Sequence, residues 1–157
     1  MNLISESENS GNLLALVAVV DDVLFSFDTE IIQEVVQVKK ITPVHHAAPY
    51  IVGVMNLRGR VITVFDLGCR LGLEQVEHTD DNRILIIEWN QEYIGVVVEK
   101  VAEVIQIEKT KIKPAPGNVG RVQAVYISGV CKTNDESLAC LLNIDQLFAV
   151  EEIKQAD

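Results

Sequence analysis

Apolar residues in this chain come in short runs, most with the every-second-residue alternation of half-buried strands and a few apolar throughout. The first half predicts strands at 13–20, 23–27, 35–39, 52–56 and 61–66, and the second at 84–89, 93–98, 104–106, 125–130 and 138–143. Asp21-Asp22 and Asn90-Gln91-Glu92 supply the polar turn residues that hairpins need between the first two strands of each set. The runs Val61 to Phe65 and Ile84 to Ile87 are apolar on both faces, so those strands are expected to be covered on both sides. Little helix is expected: a turn at 29–33, another at 67–71 stopped by Gly72, and a carboxyl-terminal helix from Ile144 to about Lys154. In the last, Ile144, Leu147, Phe148 and Glu151 keep helical spacing. Residues 114–120, with Pro114, Pro116, Gly117 and Gly120, read as an irregular loop, and 74–82 as a polar linker joining the halves.

The two sets of strands are also alike in sequence. Glu30 to Lys40 aligns without gaps on Glu99 to Lys109, Leu24 to Phe27 matches Tyr93 to Val96, and Ile51-Val52-Gly53-Val54 matches Ile127-Ser128-Gly129-Val130. Asp66 then stands opposite Asn143. Such self-similarity implies two like subdomains, and five short strands in each suit a small closed barrel, which leaves no exposed sheet edge. The expected fold is all-β: one barrel from residues 13–73, a second from 82–143, and a last helix over 144–157 packing back on the first.

One segment stands apart. Gly53-Val54-Met55-Asn56-Leu57-Arg58-Gly59-Arg60-Val61-Ile62-Thr63-Val64-Phe65-Asp66-Leu67 sets a polar corner between two apolar strands, with no nucleophile beside a base. It resembles the CheW family, the adaptors of bacterial chemotaxis, whose pattern runs approximately G-V-x-N-L-R-G-x-V-x-P-V-x-D-L. Thr63 stands where that family usually has proline, and Gly68-Cys69 where it often has arginine. Fainter agreement appears at Gln33-Glu34-Val35, at Ile112-Lys113-Pro114-Ala115-Pro116 and at Leu142-Asn143-Ile144-Asp145. The resemblance implies paired five-stranded SH3-like barrels and a non-catalytic adaptor. Such an adaptor bridges the cytoplasmic tips of methyl-accepting chemoreceptors to the regulatory domain of the histidine kinase CheA. It further implies that a receptor's helical tip enters a groove between the halves, lined by Ile32, Glu34, Val35, Asn56, Leu57, Arg58 and Gly59. The strand around Val52 and Val54 is then expected to pair with a like barrel in the kinase. A scaffold of the same fold in another pathway, such as surface motility, or a paralogue modulating receptor arrays, is the alternative.

Composition narrows this picture further. The 157 residues are 48% hydrophobic and 23% charged, which is globular, and only 5% aromatic, so the core rests on Val, Ile and Leu. A formal net charge of −10 disfavours nucleic acid and anionic membrane surfaces and fits protein partners with basic patches. Residues 1–12 are polar and acidic, unlike a signal peptide, and no apolar stretch approaches the ~20 residues that span a bilayer. The cytoplasm is the expected compartment. Cys69, Cys131 and Cys140 lack C-x-x-C spacing and read as free thiols.

Candidate chemistry is sparse. His45-His46 sit in a loop between Pro43 and Pro49 with no ligand-spaced partner, and Asp80-Asp81-Asn82 lacks the rest of a calcium loop. No serine lies in a G-x-S-x-G context and no phosphate loop is present, so neither catalytic residues nor a cofactor or metal site is expected. Gly59 after Arg58 points to a positive φ at the corner. Arg58 offers five donors in a rigid fork, suited either to an internal carboxylate (Glu34, Glu103 or Asp66) or to a partner.

Overall fold

The computed structural model describes residues 11–149. Ten strands form: β1 (Asn12–Val20), β2 (Val23–Asp28), β3 (Ile32–Gln37), β4 (Ile51–Leu57), β5 (Arg60–Asp66), β6 (Arg83–Trp89), β7 (Glu92–Val98), β8 (Lys100–Glu108), β9 (Ile127–Lys132) and β10 (Leu138–Leu142). Each overlaps a strand expected from the alternation. Two single-turn helices follow the fifth and tenth strands, α1 (Leu67–Arg70) and α2 (Ile144–Leu147), capped by the side chains of Asp66 and Asn143. The carboxyl-terminal helix is shorter than expected. It stops at Leu147, Phe148 leaves the helical conformation (φ −101°, ψ 9°), and the remainder of the expected helix, 150–154, lies outside the described residues.

The strands build two five-stranded sheets, ordered β8-β1-β2-β10-β9 and β3-β6-β7-β5-β4. Each holds one parallel pair, β2 with β10 and β5 with β7, among antiparallel neighbours. Each closes on itself at an equivalent place. Thr42 and Val54 exchange two backbone hydrogen bonds of 2.8 Å, and Lys113 and Val130 exchange two of 2.9 and 2.8 Å. Gly53 and Gly129 sit beside these closures. A Cβ on Gly53 would stand 2.1 Å from the Thr42 carbonyl oxygen, and one on Gly129 would stand 2.7 Å from the Ile112 side chain, so the seam needs glycine.

This order corrects the expected subdomain boundaries. The barrels are not residues 13–73 and 82–143. A central barrel runs continuously from Ile32 to Val98, and a terminal barrel joins β1 and β2 to β8, β9 and β10. The two repeats are real, but each gives its first hairpin to the other's barrel, which leaves the strand order of the two sheets equivalent. Residues 74–82 accordingly join two parts of one barrel instead of two halves. Val76 donates its backbone N–H to Asp66, and buried Asn82 donates its side-chain amide to the Glu99 carbonyl at 3.1 Å.

The exchanged hairpins explain the fully apolar runs. Ala15 and Val17 face the interior of the terminal barrel with Ile105, Ile107 and Ala139. Leu16, Ala18 and Phe25 join the main core beside Ile84, Val96 and Phe65 of the central barrel. A hairpin apolar on both faces is stable where both faces meet protein, which is the middle of the molecule. Ile84 to Ile87 are buried as expected, whereas Val61, at the β4–β5 corner, is 68% exposed and corrects the expectation of two-sided cover there.

Candidate functional site

The Asn-Leu-Arg-Gly corner is a two-residue hairpin turn. Arg58 (φ 53°) and Gly59 (φ 84°) both adopt left-handed conformations, the pair that matches the right-handed twist of the flanking strands. Asn56 fixes the turn by accepting the Gly59 backbone N–H on Oδ1 at 3.0 Å. Holding a non-glycine residue at Arg58 in this region is unfavourable, and the position aims the guanidinium at β3. There Nη1 and Nη2 donate to Oε1 and Oε2 of Glu34 at 2.6 and 2.5 Å, a two-pronged ion pair. The Arg58 hydrogen bonds and charge hold the Glu34 carboxyl below the usual carboxylate range, and Glu34 raises Arg58 in return. Of the three internal carboxylates open to Arg58, the fold selects Glu34, yet the Arg58 side chain stays 71% exposed.

Behind this pair, the seam of the central barrel opens into a groove of about 620 Å³ between β3 and β4. Glu34, Val54, Asn56, Leu57 and Arg58 line it, whereas Gly59, which follows Arg58 in the turn, does not. Ile32, Val35 and Val52 do not line it. Ile32 packs against the main core, and Val35 and Val52 are 41% and 37% exposed elsewhere on the edge strands. The groove therefore lies within one barrel, where a groove between the halves was expected, because β3 and β4 are the two ends of one sheet.

Sequence reading missed Val36, Lys39, Lys40 and Val61 in the lining. The signal for Val36 was its place on the strand that carries Glu34, and for Lys39 and Lys40 their position just beyond that strand's end. It also missed a second groove of about 590 Å³ at the equivalent seam of the terminal barrel, lined by Ile107, Lys111, Lys113, Val130 and Leu138 among others. The repeat pointed to it through the alignment of Val54 with Val130. The second copy has a longer turn, Thr133 to Ser137, in place of Arg58-Gly59. Asp135 anchors that turn, its carboxyl held low by hydrogen bonds from Thr133 and Ser137.

The remaining polar candidates stay apart. His45 and His46 are exposed at a turn, and among the described residues no group of three or more His, Cys, Asp or Glu could hold a metal ion. Cys131 and Cys140 are buried and Cys69 half-buried, and burial pushes all three thiols up, away from the reactive thiolate. Among the described residues no helix is long and apolar enough to cross a membrane.

A duplicated pair of β-barrels with exchanged hairpins, carrying shallow seam grooves and a charged corner, defines a binding scaffold. Residues 14–152 match the family model described as the CheW-like domain. The chain is 38% identical over 112 residues to the chemotaxis protein CheW of Bacillus subtilis, covering 71% of this chain and 69% of that one. It is 30% identical over 115 residues to the chemotaxis protein CheW of Rhizobium meliloti, covering 73% and 74%. The solved scaffolding protein TtCheW from Thermoanaerobacter tengcongensis superposes with a TM-score of 0.81 at 31% identity, covering 88% of this chain and 89% of that one. This chain belongs to the CheW-like family.

Proposed function

We propose that this chain is a non-enzymatic, cytoplasmic chemotaxis adaptor that couples chemoreceptor tips to the regulatory domain of the histidine kinase CheA. Family membership supports the adaptor role, since the relatives are named chemotaxis proteins and a scaffolding protein. The observation that carries the site is the exposed Arg58–Glu34 fork at the mouth of an open apolar groove. A receptor's helical tip presents apolar anchors with a polar rim, the pattern that Val54, Leu57 and Val61 framed by Arg58, Lys39 and Lys40 would receive. Exposed Val52, on edge strand β4, supports the kinase contact. An adaptor works by making different contacts with different partner conformations, typically ~1–3 kcal/mol of coupling.

Replacing Arg58 tests this reading. In Arg58→Glu two carboxylates face each other at the corner, and receptor-controlled kinase activity is expected to be lost. The melting temperature should barely move, because the Arg58 side chain is exposed and that of Glu34, only half-buried, still meets solvent. Val61→Asp is the cleaner apolar probe, since Val61 lines the groove and is 68% exposed whereas Ile32 supports the core; it is expected to weaken co-sedimentation with receptor arrays. Wild-type coupling in Arg58→Glu would remove the corner from the interface, and a large fall in melting temperature would make Arg58 structural.

A further inference from the structure

In the terminal barrel the two outermost strands of the sheet are β8 and β9, and they are not paired with each other. The barrel closes through the Lys113–Val130 bridge, and the groove of about 590 Å³ lies beyond it. Strand geometry fixes where the main-chain groups on either bank point, because successive residues turn their N–H and C=O to opposite sides. Thr133 donates its N–H to the Ser137 carbonyl at 2.8 Å, towards β10. Lys132 therefore turns its own groups away from β10, as Val130 does to meet Lys113. On the other bank Lys109 donates to the Gly11 carbonyl at 2.7 Å in register with β1, so Gln106 and Glu108 turn theirs away from β1. Lys132, Gln106 and Glu108 all line the groove, and on that side their main chains make no hydrogen bond among the described residues. The seam thus offers unfilled strand rungs on both banks, the arrangement to which an extended peptide adds itself.

The side chains say what kind of peptide fits. Buried Ile107, Val130 and Cys131 form an apolar floor, and Leu138 stands exposed at the rim. Three lysines of the lining, Lys111, Lys113 and Lys132, face two carboxylates, Glu108 and Glu136. Glu108 pairs with Lys111 at 3.4 Å, whereas Lys113 and Lys132 make no ion pair among the described residues. In a chain with 13 Lys and Arg against 23 Asp and Glu, this local reversal marks the place where an acidic ligand is attracted.

We propose that the terminal seam binds an extended acidic peptide of a protein partner, one in which apolar and acidic residues alternate. Its backbone pairs with the β8 edge at Gln106 and Glu108, its apolar side chains meet the floor, and its carboxylates meet Lys113 and Lys132. The alternation follows from the two faces of a strand, one towards the barrel and one towards solvent, where both lysines are exposed. This site is separate from the Arg58 corner and stands independently of the adaptor reading.

The test uses a fluorescein-labelled, end-blocked peptide of sequence Glu-Val-Glu-Val-Glu-Val, with Lys-Val-Lys-Val-Lys-Val as the charge-reversed control. Each is titrated with the full chain and read by fluorescence anisotropy. The acidic peptide is expected to bind saturably and about tenfold more tightly than the basic one, since like charges set against each other repel. That preference should invert in the full-length Lys113→Glu, Lys132→Glu double variant, in which both altered side chains are exposed. In an amide NMR titration of the wild-type chain, the signals of Gln106, Glu108 and Lys132 should move as the acidic peptide is added. Failure to bind, equal binding of the two peptides, or an unchanged preference in the folded double variant would overturn the proposal. So would movement of the same amides on concentrating the chain alone, which would assign the seam to a second copy. No receptor or kinase enters these measurements, so their failure is distinct from failure of the adaptor reading.

Discussion

Arg58 shows how one residue becomes a functional corner through its neighbours. Gly59 frees the turn, Asn56 locks it, and the left-handed backbone of Arg58 itself turns the fork towards Glu34. The glycine's positive φ was legible from its place after Arg58. The arginine's was not, because nothing in a one-dimensional pattern shows that tertiary pairing of β4 with β5 in a two-residue register forces both turn residues left-handed. Arg70 was invisible for a similar reason, since its acceptors are main-chain carbonyls, which carry no sequence signature. The Glu34 pair carries a pH signature. Its folded pKa lies below the unfolded value, roughly 4.3. Its contribution is therefore complete above that value and lost as the pH falls through the folded pKa. In a carboxyl NMR titration the Glu34 midpoint should rise towards the ordinary range in Arg58→Ala. An unmoved midpoint would mean that Arg58 is not its partner in solution.

Among the elements, strands were the legible part. Alternation located all ten, with edges off by a few residues, and failed mainly where exposure depends on position in the sheet, as at Val61. The seam glycines carry the clearest stability prediction. Gly53 has φ 153° and no room for a Cβ against the Thr42 carbonyl, so Gly53→Ala must open the hydrogen-bonded closure of the central barrel. Strain and displacement together are expected to cost about 3 kcal/mol in denaturant unfolding. A loss within experimental error would show that Thr42 and Val54 do not close that barrel. Gly68 has the same logic: a Cβ there would lie 2.0 Å from the Glu74 carbonyl, which accounts physically for a small residue where the family often carries arginine.

At the scale of the whole molecule, duplication could be read from sequence but its assembly could not. Matching residues identify which strands are equivalent; they do not say whether a hairpin joins its own barrel or its twin's, because both arrangements satisfy the same apolar pattern. The fold takes the exchanged form, so the chain crosses between barrels twice, at the turn Thr29–Ile31 and at Glu99. One large core cluster spans both barrels as a result, which favours a rigid body over two hinged lobes. Rigidity suits a part that must hold two partners in fixed relation. The groove residues Glu34, Asn56, Leu57 and Arg58 were found through the motif, while the groove's location within one barrel followed only from strand order.

The most direct measurement is a pull-down of the wild-type chain with the CheA regulatory domain and a receptor cytoplasmic fragment, separately and together. An adaptor that bridges them retains each alone and both at once, in one assembly. Mutual competition between the two for this chain, or retention of neither, would contradict the account.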